Sequence, residues 1–165
     1  LSDQYAQIAK LTASDAASSD GFGVSVAING DTVVVGAYAK DSQRGSAYVL
    51  RKTDGGATYV EVAKLTASDA ASYDEFGWSV AIDGGTVVVG AFKDDDAGSW
   101  SGSAYVFRTT DGGGTYGQVA KLMASDAAAG DNFGYSVAID GNTIVAGAYG
   151  DADGGLWSGS VYVFR

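Results

Sequence analysis

The stretch AKLTASDAASSDGFGVSVAING at residues 9–30 returns as AKLTASDAASYDEFGWSVAIDG at residues 63–84 and as AKLMASDAAAGDNFGYSVAIDG at residues 120–141. Three copies of one unit, at about 5–51, 59–108 and 116–165, fill the 165-residue chain. Phe22, Phe76 and Phe133 stand 54 and 57 positions apart, a period outside the short solenoid classes and close to that of a propeller blade of the kelch size. The difference sits in one loop: Ala37 to Gly45 is eight steps, whereas Ala91 to Gly102 and Ala148 to Gly159 are both eleven.

Each unit reads as four short strands. The first, YAQIAKLTA at 5–13, alternates like a half-exposed edge strand. In the second, FGVSVAI, large residues (Phe22, Val24, Val26, Ile28) share one face and small ones (Gly23, Ser25, Ala27) the other. The third, TVVVGAY from Thr32, is apolar on both faces, and the fourth is GSAYVLR from Gly45. Sheets with two buried faces stack on each other. Asn29-Gly30, Asp83-Gly84 and Asp140-Gly141 predict tight type I′ hairpins between strands two and three. Asp54-Gly55-Gly56 and the Asp111 turn predict looser ones into the next unit. The expected fold is an all-β propeller segment of four-stranded antiparallel blades, three per chain.

Composition agrees. Gly is 25 of 165, Pro is absent, and Glu61 and Glu75 are the only glutamates, so helix formers are scarce. There is no His and no Cys, which excludes Ser/His and Cys/His catalytic pairs, the usual zinc ligands and disulfides. Twenty acidic against ten basic side chains leave a formal charge of -10, so nucleic acid is not an expected partner. No apolar run approaches the roughly 18 residues of a spanning helix, so membrane insertion is not expected either. A sequence that opens on Leu1 without Met and without a signal peptide reads as a segment of something longer.

The repeats FGVSVAINGDTVVVGAY, FGWSVAIDGGTVVVGAF and FGYSVAIDGNTIVAGAY, each followed by GSAYVL, GSAYVF or GSVYVF, resemble FG-GAP repeats, the blade unit of integrin α-subunit propellers. The resemblance implies an extracellular or cell-surface β-propeller used for adhesion, ligand recognition or scaffolding. Many such blades carry a D-x-D-x-D-G calcium loop between the Phe-Gly and Gly-Ala strands. Here that loop has shrunk to the tight turns, so the family's calcium site does not transfer to those positions.

Calcium wants six to eight oxygens, and the clusters left for it are Asp94, Asp95 and Asp96, and Asp151 with Asp153. The first unit has only Asp41 there, beside Lys40 and Arg44. A second acidic pair recurs five apart in every unit: Asp15/Asp20, Asp69/Asp74 and Asp126/Asp131. Each Asp is expected to accept backbone N–H bonds and shape the bend into the inner strand. Carboxylate pairs also serve glycoside hydrolysis, but a site repeated in every blade is a structural repeat, and no enzyme is expected. Trp100 and Trp157 precede Ser-Gly-Ser and Ser-Gly-Ser in matching loops; they either cap the seam between blades or stack on a sugar face. Trp78 is expected in the core. Asn29, Asn132 and Asn142 lack the N-glycosylation signature, while Thr109, Thr110 and Thr115 remain open to O-linked sugar.

Strand phase adds an expectation about partners. The sequence opens on the outermost strand of a blade and closes at Arg165 on the third strand of a blade without its outer one. Rings contain about four to eight blades, so three do not close. Two copies complete one six-bladed ring, or blades of a longer chain do so, or the units run on as a filament. Head-to-tail joining sets Ile8 and Leu11 of one copy beside Tyr162 and Phe164 of the next. The expected function is a non-enzymatic structural or adhesive module with a self, protein or glycan partner; the alternative is a lectin-like propeller using Trp100 and Trp157.

Overall fold

A computed structural model describes residues 5–165; Leu1 and its neighbours to residue 4 lie outside them. Strands β1 (Phe22–Asn29), β2 (Thr32–Ala37), β3 (Ser46–Lys52) and β4 (Tyr59–Leu65) form an antiparallel sheet in sequence order. Strands β5 (Ser79–Asp83), β6 (Thr86–Ala91), β7 (Ser103–Thr109) and β8 (Tyr116–Leu122) repeat it, and β9 (Phe133–Asp140), β10 (Thr143–Ala148) and β11 (Ser160–Phe164) form a sheet of three. The one helical element among the described residues, α1 (Lys40–Gln43), is a turn in the short loop of the first unit, with Asp41 and Ser42 at positive φ. The first two blades thus take their fourth strand from the next repeat, as the phase of the units requires.

Two expectations are corrected. Residues 5–13 form no strand, because the edge they match in phase is β11 of the third blade, which the chain does not bring to them. Without a ladder the segment keeps only its end: Leu11 and buried Ala13 pack on Tyr48 and Leu50. The hairpins also differ from type I′. Asn29 pairs with Thr32 and Asp83 with Thr86, which makes Gly30 and Gly84 the first central residues. Positive φ is confined to that position (55° and 54°, and 56° at Gly141), as in type II′ turns. Asp111 organises the longer turn, accepting backbone N–H bonds from Gly114 and Thr115 at 2.9 Å.

Successive blades meet at glycines. A Cβ on Gly36 would stand 1.9 Å from the Gly77 carbonyl oxygen, and one on Gly90 1.9 Å from that of Gly134. The Phe-Gly and Gly-Ala motifs are therefore the two sides of one backbone contact. Parallel bridges Gly45–Phe76 and Gly102–Phe133 lie beside it, and β1 packs on β5 and β5 on β9. Between the first and second blades, Val34, Ala47 and Val49 face Phe76, Val80 and Ile82 in one core. The second and third are joined by Ala81, Val88 and Ala104 against Phe133 and Ala146. The stack does not close, and its two outer faces stay in water: Val26 and Ile28 at one end (65% and 66% exposed), Val161 and Val163 at the other (67% and 65%).

Candidate functional site

Three equivalent acidic sites form where the turns that follow residue 13, β4 and β8 meet the tyrosines of β3, β7 and β11. In each turn a backbone N–H bonds to the second Asp of the recurring pair: Ala17 to Asp20, Ala71 to Asp74 and Ala128 to Asp131, all at 2.7 Å. Those carboxylates shape the bend, as their recurrence suggested. Burial pushes the Asp74 carboxyl up from its ordinary value. The first Asp of each pair meets the tyrosine: the hydroxyls of Tyr48, Tyr105 and Tyr162 lie 2.7, 2.8 and 2.8 Å from Asp15, Asp69 and Asp126.

In the middle site Tyr105 Oη also lies 2.8 Å from Asp94 Oδ2. A phenol has one proton to donate, so one hydroxyl cannot serve two carboxylates, and the deficit is met by Lys121 from β8. Its Nζ sits 2.7 Å from Asp69 Oδ2 and 3.0 Å from Asp94 Oδ2, is bonded to Asp96, and lies 5.2 Å from the Tyr105 ring centroid. Burial alone would lower the Lys121 ammonium, but the three carboxylates outweigh it and hold it above its ordinary value. Buried Asp94 also accepts Ser103 Oγ at 3.0 Å. Asp95 stands apart from this cluster and accepts the Trp100 N–H at 2.7 Å.

The first site has the charge inverted at one position. Lys40 occupies the place of Asp94, is buried, and reaches Asp20 Oδ2 at 2.9 Å and the Asp15 carbonyl at 2.6 Å. Lys64, the counterpart of Lys121, binds Asp15 Oδ2 at 2.8 Å. The bond from Lys64, then that from Tyr48, holds Asp15 down to about 2. Ser46 Oγ, which corresponds to Ser103 Oγ, is buried without a partner, because Lys40 cannot accept its hydrogen bond.

In the third site Tyr162 Oη lies 2.7 Å from Asp151 Oδ2 as well as against Asp126. Oxygens of Asp126, Asp151 and Asp153 lie within 4.8 Å of one another, with Asp151 buried and the other two exposed. Asp151, followed by Asp126, raises the Asp153 carboxyl above its ordinary value. Among the described residues no lysine or arginine pairs with this cluster. The recurrence of Asp69 and Asp126 in the sequence points to bend-shaping roles and does not single out Lys64 and Lys121. The signal was present in the constant offsets of Ser-Asp-Ala, Ala-Lys-Leu and Ala-Tyr-Val, or Val-Tyr-Val in the third unit.

A calcium site common to all three units does not fit: Lys121 holds the middle cluster and Lys40 stands in the first. In the third, oxygens of Asp126, Asp151 and Asp153 are close enough together to hold a cation, with Asp151 also accepting the Asp153 N–H at 2.9 Å and facing Tyr162. The three donors are those that bind an ammonium one blade earlier.

The tryptophans do not seal the seam. Trp100 and Trp157 are 52% and 67% exposed. What joins the blades there is backbone: Trp100 O accepts the Asn132 N–H at 3.0 Å, just as Gln43 O accepts that of Glu75 at 2.9 Å. Trp78 is half-buried in an aromatic row, 5.2 Å from Tyr38 and 4.8 Å from Phe92 between ring centroids. Of the assembly residues, Ile8 is exposed, Leu11 half-buried, and Tyr162 and Phe164 pack on Phe133.

The family model described as FG-GAP repeat matches three times, at residues 5–50, 59–107 and 116–164. A comparison with curated proteins finds no match to the sequence.

Proposed function

The chain belongs to the FG-GAP repeat family, and on that premise we propose that it is a non-enzymatic structural or adhesive propeller module, extracellular or at the cell surface, that joins like units end to end. FG-GAP repeats are generally non-enzymatic and typical of surface proteins. Among the described residues no helix is long and apolar enough to cross a membrane. The observation that carries the reading is the pair of outer faces. Ile28 is 66% exposed where its equivalent Ile82 is 8%, and Val161 is 67% exposed where Ala104 is 0%. Contiguous apolar surface of this kind marks an interaction site, and the unpaired edge of β11 adds a template for a strand. A head-to-tail contact between copies closes into a ring or grows into a filament according to its rotation. Deleting residues 1–13 removes the matching strand and is expected to leave monomers by sedimentation; undiminished assembly of the truncated chain overturns the reading.

A second reading is carbohydrate binding, favoured by the exposed rings of Trp100 and Trp157 and by Lys93 Nζ 5.4 Å from the Trp100 centroid. A glycan array on the wild type and Trp157→Ala decides it: signal lost in the variant supports a lectin, and a blank array removes it.

A further inference from the structure

The three acidic sites share one plan, and the third lacks its cation. Lys64 and Lys121 reach the first two from the outer strand of the same blade, β4 and β8. Among the described residues the third blade has three strands and no outer one. The lysine at the matching position of the repeat is Lys10, in the segment 5–13 that corresponds to β4 and β8. Among the described residues exposed Lys10 makes no ion pair.

We infer that Asp126, Asp151 and Asp153 form a socket for the Lys10 ammonium of a second copy of this chain. The inference rests on the end-to-end joining proposed above and names the residues that select the strand. Register fixes the arrangement. In the middle blade Leu122, Lys121 and Ala120 lie opposite Ala104, Tyr105 and Val106, and after a bulge Gln118 lies opposite Phe107. Transferred to β11, this sets Leu11 opposite Val161, Lys10 opposite Tyr162, Ala9 opposite Val163 and Gln7 opposite Phe164. Lys10 then meets the same three carboxylate positions that hold Lys121, and the Tyr162 hydroxyl, with one proton between two carboxylates, receives the partner Tyr105 has.

Two further contacts of the inner joints have open counterparts at the ends. Ser68 donates its N–H to Gln118 Oε1 at 2.9 Å and accepts the Gln118 amide N–H on its hydroxyl at 3.0 Å, and Ser14 donates both its N–H and its hydroxyl to Glu61 at 2.8 and 2.9 Å. In the third unit the serine is Ser125 and the missing partner is Gln7. At the glycine contact, Gly36 meets Gly77 and Gly90 meets Gly134, whereas a Cβ on Gly23 would meet nothing within 4 Å and one on Gly147 would meet only Ser136 of its own blade. Gly23 of the second copy is the residue that Gly147 awaits. Charge, register and close contact all match the chain's own leading segment, which a second copy supplies.

The test is a charge swap on the 165-residue chain, read by sedimentation. The wild type is expected to assemble and to keep its mass when a chelator is added. Lys10→Glu raises the dissociation constant of the joint at least ~30-fold, since an unpaired buried charge is left in the socket, while Lys10→Arg retains assembly. Asp126→Lys with Asp153→Lys, both at exposed positions, fails alone as well, with an unchanged circular dichroism spectrum. Mixing the two defective chains rebuilds both joints and restores the assembled mass. A monomeric wild type overturns the end-to-end reading itself. Assembly by Lys10→Glu equal to that of wild type overturns the socket while that reading stands, as does failure of the mixture to recover. Dissociation by the chelator assigns the joint to a metal and overturns the socket too.

Discussion

The middle of the molecule and its ends are built from the same sequence and differ in what covers it. Val80 and Ile82 on β5 are 6% and 8% exposed, while Val26 and Ile28 on β1 are 65% and 66%. Val106 on β7 is 4% exposed, and Val163 on β11 is 65%. Nothing in the strands themselves accounts for this. Burial in a repeat array belongs to the neighbouring unit, so stability is a sum over units and joints, and an end that repeats the chemistry of a joint is half of one. The acidic sites say the same in charge: the three carboxylates of the middle site share the Lys121 ammonium, and among the described residues the three around Tyr162 share none.

The largest effect that separates joint from end is expected at the glycines. Gly90→Ala places a Cβ 1.9 Å from a backbone carbonyl that cannot turn aside, and it should cost about 4 kcal/mol or more. At the third blade Gly147→Ala meets the Ser136 hydroxyl at 2.5 Å, a side chain with other rotamers, and should cost about 1 kcal/mol or less. Urea unfolding in a Lys10→Glu background keeps assembly out of the measurement. Equal losses would remove the distinction between the two positions.

Next come the isoleucines. Ile82→Ala should lose about 2–4 kcal/mol as a core truncation, and Ile28→Ala less than about 0.5 kcal/mol as a surface change. In the wild-type background Ile28→Ala should instead weaken assembly. Matching unfolding losses in the monomeric background would show that the outer face is covered from within the chain.

Acid separates the sites by sign. Lys64 and then Tyr48 hold Asp15 near 2. Burial works to raise Asp69, but Lys121 and Tyr105 outweigh it and keep it below the ordinary value. A lowered carboxylate contributes stability above its unfolded pKa of about 4 and loses it as pH falls toward the folded value. Asp153 is raised by Asp151 and Asp126, so its ionisation costs stability as pH rises, and acid relieves the cost. Thermal melts should therefore show Asp15→Asn lowering Tm at neutral pH with the difference vanishing near pH ~2. Asp153→Asn in the monomeric background should raise Tm at neutral pH. A neutral-pH loss on Asp153→Asn would mean that the third cluster already has its cation.

The smallest contrast is between two buried serines. Ser103 donates to Asp94 at 3.0 Å, and Ser46 has no partner. Removing a satisfied hydroxyl should cost about 1 kcal/mol, whereas Ser46→Ala should gain about as much. A loss at Ser46 would reveal an acceptor there.

Most of the fold was legible because its determinants are local or repeated. Strand limits followed from alternation and Gly-rich turns, and the borrowing of a fourth strand from the next unit followed from phase. The hairpin type was misread because Asn-Gly looked like the central pair, whereas the ladder extends through Asn29 and moves the turn one residue on. Residues 5–13 looked like a strand because residues 59–65 are one; the ladder is supplied by a neighbouring edge, which sequence alone does not place. The acidic cluster escaped for a related reason. Asp69 and Asp94 lie 25 positions apart in one repeat and Lys121 comes from the next, so a run of adjacent acids points to Asp95, which is not in the cluster, and not to Asp69, which is.

The mass of the 165-residue chain in solution tests the central claim most directly. Sedimentation equilibrium at micromolar concentration should find species of at least twice the 16.7 kDa chain, falling toward the single-chain mass on dilution. A single species of 16.7 kDa that stays monomeric as concentration rises would contradict the claim that the two outer faces are halves of one joint.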